Sequence, residues 1–175
     1  KMGENDIQAN GSLSNYLDYV FSDGTIKGAL NIKSNYFNVN PYLESDEAEV
    51  TESESEEEVP LEPVEIPGNI DFAMNAEFGT LIYDNMTMEA MKAKLLVQNS
   101  KVSLNDFSML MLGGKIFGDG NYNAQNIQSP EAFFKLRLLG IDIQEAYNTF
   151  GAFERFAPIA KNTEGRFDAN MVITT

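Results

Sequence analysis

Apolar and polar residues alternate with a period of two through most of this chain. Around Phe72, Met74 and Ala76, for example, the intervening residues are mainly polar or small. Because successive side chains of a β-strand point to opposite faces, this alternation predicts strands with one buried face. The alternating segments are residues 72–78, 91–97, 134–138 and 167–173.

Turn-forming residues separate the alternating segments at short intervals. Short connections of this kind join antiparallel neighbours. The predicted turns are Asp23-Gly24, Asp84-Asn85, Gln98-Asn99-Ser100 and Gly113-Gly114. Residues 107–112 are apolar at almost every position, which predicts a central strand covered on both of its faces.

One segment near the C-terminus has the pattern of a helix. Asp142 is a candidate N-cap, Glu145 would complete a capping box, and the apolar stripe that follows stops at Gly151. A second short helical turn is expected at residues 153–157, closed by Pro158. The sequence therefore predicts a mainly β fold: a curved antiparallel sheet with one helix, at about residues 142–150, and a short turn packed on it.

The chain also contains an internal repeat. Residues 24–28 carry two glycines four apart and are followed by residues 37–42; residues 114–118 have the same glycine spacing and are followed by residues 141–147. Glycine in a strand marks a bend or a bulge. We therefore expect repeated, curved β units placed side by side in the sheet.

Composition argues against most catalytic functions. The chain has 175 residues, a formal net charge of −15, and neither cysteine nor histidine. Zinc sites, thiol nucleophiles and imidazole acid–base pairs are therefore excluded, and we do not expect an enzyme or a cofactor. The acidic balance disfavours binding to nucleic acid.

The acidic residues are concentrated in one segment. Eleven of the 27 lie in residues 44–65, where there is no basic residue, and the rest of the chain carries −4. Such a segment repels itself and lacks the apolar residues needed to fold. The predicted organisation is therefore residues 1–43 as the end of a preceding β unit that shares the sheet, 44–66 as a disordered acidic linker, and 67–175 as a β domain.

One acidic pattern resembles a metal site but fails in detail. Asp119, Asn121 and Asn123 match the first positions of an EF-hand loop. Ala124 stands where that loop needs glycine, and Pro130 stands where it needs a bidentate glutamate. We predict no metal site.

Methionine is concentrated in the predicted sheet. Six of the eight methionines lie between Met74 and Met111, together with several phenylalanines. Methionine is flexible and suits a surface that accepts varied apolar partners, although it equally fills an irregular core. An open groove and a closed core both remain possible at this point. The candidate apolar groove consists of Phe72, Met74, Phe78, Leu95, Val97, Met109 and Met111.

The order of these motifs resembles the C-terminal region of the AsmA family. The similar segments are residues 66–72, 81–86 and 112–122, together with residues 150–165, which resemble the Bacteroidetes members of that family. Residues 11–43 resemble the unit that precedes an acidic, variable linker in the same proteins. The resemblance covers nearly the whole chain, although each motif consists only of glycines and alternating apolar residues.

The resemblance implies a periplasmic location and a role in the cell envelope. AsmA-like proteins have an N-terminal inner-membrane helix and a long β-rich periplasmic part, and are implicated in outer-membrane assembly and lipid traffic. By this likeness the chain is a non-enzymatic portion of a longer, inner-membrane-anchored protein. Its expected partners are phospholipid acyl chains or envelope assembly proteins. The alternative is a structural or scaffolding envelope domain without a lipid ligand.

Overall fold

The computed structural model describes residues 5–43, 63–150 and 158–175, and in these residues eight strands form one sheet. The strands are β1 Gln8–Ser14, β2 Ile26–Asn38, β3 Ile70–Tyr83, β4 Met86–Gln98, β5 Lys101–Met111, β6 Gly114–Asn123, β7 Glu131–Asp142 and β8 Arg166–Thr174. The helices are α1 Tyr16–Ser22, α2 Asn40–Leu43 and α3 Ile143–Thr149, followed by a 3₁₀ helix at Pro158–Asn162. The predicted mainly β fold, a curved and open sheet, is confirmed.

The strands lie in the sheet in chain order, and all neighbours but one are antiparallel. The exception is β2 with β3, which run parallel, with Leu30 opposite Met74. Parallel neighbours cannot be joined by a tight hairpin, so a long connection is required here. Strands on both sides of the acidic segment therefore belong to one sheet. The predicted disordered linker, residues 44–66, lies largely outside the described residues and stays a prediction, as do the domain boundaries.

Two-residue turns join the central strands. Asn99-Ser100 and Leu112-Gly113 have positive φ at both positions, between 53° and 66°, as in the type I′ turns that match strand twist. The turn predicted at Gly113-Gly114 is therefore one residue late, and Gly114 begins β6. The turns predicted at Asp84-Asn85 and at residues 98–100 are confirmed.

Three β-bulges interrupt the alternation without changing which face is apolar. The strand register shifts around Ala90, Asp106 and Gly140, and φ is positive at each of them. A bulge adds one residue to its strand, so the next apolar residue comes three positions on, instead of two. The pairs that flank the bulges are Met88 and Met91, Leu104 and Phe107, and Leu138 and Ile141.

The predicted C-terminal helix is present and packs at one end of the sheet. The Asp142 side chain accepts hydrogen bonds from the backbone N–H of Gln144 and of Glu145, at 2.9 and 3.0 Å. The reciprocal half of the capping box does not form, because the Asp142 N–H donates to the Leu112 carbonyl oxygen. The most buried cluster lies between this helix and the sheet. In it, Ala146 of the helix packs with Met111, Ile116 and Ile141 of the strands.

Two expectations from the sequence differ from the structure, and a third concerns residues that the structure does not describe. Residues 107–111 end the central strand β5, and Leu112 belongs to the turn that follows; Leu110 is 38% exposed, so only one face of β5 is covered by described residues. Helix α1 lies within residues 1–43, which the sequence analysis describes as the end of a β unit and for which it predicts no helix. The short turn expected at residues 153–157 lies outside the described residues, and the 3₁₀ helix begins at Pro158.

The repeated glycine motifs lie in the same sheet, but the copies do not have the same topology. The strand with Gly28 is β2, and the strand with Gly118 is β6. In the first copy the residues that follow end β2 itself, whereas in the second copy they end β7. The better structural equivalence is between β1–α1–β2 and β7–α3–β8, since each is an antiparallel strand pair joined through a helix.

A carboxylate ties the residues before β1 to the end of β2. Asp6 accepts hydrogen bonds from the backbone N–H of Tyr36 at 2.8 Å, the Asn35 side chain at 2.7 Å and the Ser34 hydroxyl at 2.9 Å. These donors, with Tyr36 contributing most, lower the pKa of Asp6 to about 2. The ionised form of Asp6 therefore stabilises this end of the sheet.

We expect the Asp6 contribution to be lost in acid. Because the folded-state pKa lies below the ordinary value of 3.8, the stabilisation is complete above about pH 4 and disappears as the pH falls through about 2. The melting temperature of the native chain should exceed that of Asp6→Asn at pH 5, and the difference should shrink towards pH 2. A difference that is constant over this range would contradict the assignment.

Candidate functional site: the apolar face of the sheet

The strand register brings apolar side chains from seven strands into continuous rows on one side of the sheet. We call this surface the apolar face and define it by the row that runs from β2 to β8. That row contains Leu30, Met74, Leu95, Leu104, Gly120, Phe134 and Ile173. None of these side chains carries a charge or a hydrogen-bonding group.

A neighbouring row repeats the pattern two residues away. It contains Gly28, Phe72, Val97, Val102, Tyr122 and Ala132. Tyr122 is its only polar member, and its hydroxyl donates to the Val64 carbonyl oxygen at 3.0 Å. The segment that leads into β3 thus borders the apolar face at the end away from α3.

The structure divides the predicted groove residues into two groups. Phe72 and Val97 are direct cross-strand partners, as are Met74 and Leu95, so these four form one contiguous patch in β3 and β4. All four are half-buried. We call them the open patch.

The other predicted groove residues have protein neighbours at the opposite end of the face. Met111 is 7% exposed in the cluster beneath α3, and Met109 packs against that cluster. The Phe78 ring lies 6.0 Å from the Phe37 ring, which itself stacks on Tyr42. Met111 is therefore buried, whereas Phe78 and Met109 are half-buried like the open patch but have large apolar neighbours at this end of the face.

The helices in the described part of the chain cover little of the apolar face. The main contacts of α3 are with β7 and the 3₁₀ helix, and those of α1 are with β2. In the middle of β3 and β4, the fully buried apolar residues are the small Ala76 and Ala93. The larger side chains beside them are half-buried.

Glycines on the apolar face lie beneath large side chains of adjacent strands. A Cβ atom on Gly28 would lie 2.7 Å from Cδ2 of Phe72, and one on Gly118 would lie 3.2 Å from both Phe107 Cδ1 and Leu136 Cδ2. These glycines leave room for the neighbouring side chains to lie close to the backbone. The sequence repeat located them, but it gave no indication that side chains cover them.

The opposite face of the sheet carries the charges, together with exposed apolar side chains such as Leu96, Phe117 and Phe133. Lys33 pairs with Glu77 at 3.4 Å, and Lys94 with Asp106 at 2.7 Å. The hydrogen bond from Lys94 to Asp106 raises the pKa of the lysine. An amide ladder continues this side across the sheet, with the Asn75 side chain donating to Asn31 at 2.9 Å.

The structure also places the residues of the EF-hand-like pattern. Asp119, Asn121 and Asn123 lie within β6, where an extended backbone cannot wrap around an ion. Asp119 accepts a hydrogen bond from the Asp106 backbone N–H at 3.1 Å. No helix among the described residues is long and apolar enough to cross a membrane.

Sequence reasoning missed much of the apolar face. It named residues only from β3, β4 and β5, whereas β2, β7 and β8 extend the same rows. The alternation in residues 134–138 and 167–173 could have indicated the last two strands. The parallel pairing of β2, which brings Leu30 beside Met74, has no such signal in the sequence.

Comparison with protein-family models, with curated proteins and with solved structures finds no match to this chain.

We expect a branched side chain at Gly118 to destabilise the sheet. Gly118→Val must displace Phe107 and Leu136, which should lower the free energy of unfolding by about 1–3 kcal/mol. Urea denaturation would measure the change. Ala73→Val, at an exposed position of β3, is the control and should change stability by less than about 0.5 kcal/mol. Equal effects of the two substitutions would contradict the packing argument.

Proposed function

We propose that this chain is a non-enzymatic domain of an AsmA-like envelope protein and binds lipid hydrocarbon chains on its apolar face. The observation that carries the proposal is the open patch: large apolar side chains in register, half-buried, on a face without charge in its defining row. A contiguous apolar patch that is only partly covered is typical of an interaction site.

The chemistry of the face suits hydrocarbon and not a charged headgroup. Burying apolar surface contributes about 25 cal/mol per Å², so covering roughly 200 Å² would contribute about 5 kcal/mol. Methionines at positions 74 and 91 can adapt to acyl chains that differ in shape. The lysines that could attract a phosphate, such as Lys94, lie on the opposite face.

The resemblance to the AsmA family supplies the cellular setting of the proposal. It suggests that the domain lies in the periplasm, in a protein anchored in the inner membrane, and contributes to outer-membrane assembly or lipid transfer. Envelope assembly proteins are the alternative partners. This part of the proposal rests on sequence motifs of glycines and alternating apolar residues.

A structural or scaffolding role without lipid is the second candidate. The burial of Met111, Ile116 and Ile141 beneath α3 favours it, because there the face serves as an ordinary core. The two candidates differ in what they require of the open patch. Lipid binding needs it accessible, whereas a purely structural sheet needs it covered.

Aspartate substitutions in the open patch should remove lipid without unfolding the chain. Met74 and Leu95 are direct neighbours on adjacent strands, so Met74→Asp and Leu95→Asp place charge at the centre of the patch. We expect each variant to stay soluble, with an unchanged circular dichroism spectrum, and to lose co-purified lipid measured by mass spectrometry. An accessible carboxylate keeps its hydration, whereas a buried and unpaired one does not.

The matched controls lie on the same strands and face the other way. Ala73 and Leu96 are also direct partners, and both are exposed on the polar side. Ala73→Asp and Leu96→Asp should leave lipid unchanged. Insoluble or unfolded Met74→Asp and Leu95→Asp, with soluble controls, would mean that the patch is closed core and would favour the structural role. Absence of lipid from the native chain would contradict the lipid proposal directly.

A further inference from the structure

A hollow of about 670 Å³ opens beside the turn between β5 and β6, on the face of the sheet opposite the apolar face. Side chains from five strands and from α3 line it, namely Glu89, Leu110, Lys115, Leu139, Glu145 and Arg166. Cavities that bind small molecules have volumes of about 300–1,000 Å³ and combine apolar walls with a few convergent polar groups. The hollow has both properties, and it is separate from the open patch.

One cross-strand row of side chains crosses the hollow. Glu89, Leu110, Lys115 and Leu139 are successive direct partners in β4, β5, β6 and β7. Leu110 is 38% exposed and Leu139 is half-buried, so charged and apolar side chains alternate along the row. Neighbouring strands lie about 4.8 Å apart, which puts the backbones at Glu89 and Lys115 about 10 Å apart. The row thus presents two opposite charges with a leucine between them.

The charged side chains of the hollow are not neutralised by one another. Two are carboxylates and two are cations, yet among the described residues none of the four takes part in an ion pair. Nη1 of Arg166 donates to the Gly113 carbonyl oxygen at 3.1 Å, and its other nitrogen atoms make no hydrogen bond to a described residue. An occupant that carries one positive and one negative group would pair with both kinds of side chain.

Glycines keep the space between these charges open. Oε1 of Glu145 and Nη2 of Arg166 lie 3.5 and 3.7 Å from the position that a Cβ atom on Gly113 would occupy. A Cβ atom on Gly140 would have no described heavy atom within 4 Å. A peptide group offers one N–H donor and one carbonyl acceptor. Seated over Gly113, it would reach a carboxylate that accepts and a guanidinium that donates.

We propose that the hollow binds a short apolar peptide with free ends, about three residues long, laid across the strands. Its ammonium group pairs with Glu89, its carboxylate pairs with Lys115, and its side chains lie on Leu110 and Leu139. An extended chain spans at most about 3.3–3.6 Å per residue, so about three residues cover the 10 Å between the two charges. The proposal does not depend on lipid binding, because the hollow and the open patch lie on opposite faces.

The charge pattern and its spacing distinguish a peptide from other charged ligands. In a free amino acid one carbon atom separates the ammonium group from the carboxylate, so it cannot span from Glu89 to Lys115. A polyanion would meet two carboxylates in the hollow, and a polyamine would meet two cations; like charges placed together oppose binding. The leucines in the row favour apolar side chains on the peptide.

Isothermal titration calorimetry of the full chain with trileucine tests the proposal. We expect binding with a Kd below about 1 mM. N-acetyl-trileucine amide, which carries neither terminal charge, should bind at least about fivefold more weakly. Triglycine keeps both charges but has no apolar side chains, and it should bind at least about tenfold more weakly.

Single substitutions paired with blocked peptides test the direction of the peptide. Glu89→Gln should weaken trileucine at least about threefold and should not affect N-acetyl-trileucine, which lacks the ammonium group. Lys115→Gln should weaken trileucine by a similar factor and should not affect trileucine amide, which lacks the carboxylate. Both positions are exposed, so the circular dichroism spectrum should be unchanged.

The matched controls are charged residues on the same face outside the hollow. Glu131 and Lys135 are exposed in β7 and do not line it. Glu131→Gln and Lys135→Gln make the same changes of charge as the two test substitutions. They should leave the affinity for trileucine unchanged.

Three results would overturn the proposal. The native chain could fail to bind trileucine, which would mean that the hollow is empty or is filled by another part of the chain. The fully blocked peptide could bind as tightly as trileucine, which would show that the terminal charges are not recognised. The control substitutions could weaken trileucine as much as Glu89→Gln and Lys115→Gln, which would place the binding outside the hollow.

Discussion

The fold depends on keeping apolar side chains in phase across seven neighbouring strands, β2 to β8. A shift of one residue in any strand would turn its apolar side chains to the opposite face. The rows through Met74 and Leu95 show that the phase is kept from β2 to β8. At Ala90, Asp106 and Gly140 a bulge would break it, and there the sequence spaces its apolar residues three apart to compensate. The pairing of neighbouring strands and the spacing of apolar residues along each strand therefore have to match.

A sheet with one apolar face normally packs against a second layer, and here the described helices cover only one end. Beneath α3 the face is a conventional core, in which Ile141 is 1% exposed. Towards the open patch the same face continues without a covering helix among the described residues. The apolar face is thus a buried core beneath α3 and a half-buried surface at the open patch. The functional proposal rests on this difference. Helix α3 covers only one end of the apolar face, so it cannot bury the side chains at the other end.

The chain has two units in which a helix follows a strand, and the two helices differ in whether their apolar side is buried. Helix α3, which follows β7, packs on two neighbouring strands and buries Ala146 against them. Beside β1 no further strand lies among the described residues, and α1 exposes its apolar side. The difference lies in the neighbouring strands and not in helix propensity, because short helices depend on packing for their stability.

The sequence by itself determined the elements whose signals are local. Alternation identified β3, β4 and the strands at residues 134–138 and 167–173, Asp142 marked the start of α3, and paired turn residues located the hairpins. These features depend on side-chain period, capping and turn geometry, all of which involve residues close together in the chain. Only the tertiary structure decided the parallel pairing of β2 with β3, the bulges that keep the face in phase, and the division of the predicted groove into an open patch and a buried cluster. Leu30 meets Met74, and Met111 meets Ala146, through contacts between residues distant in sequence, and a residue's period along its own strand does not specify which strand lies beside it or which helix covers it.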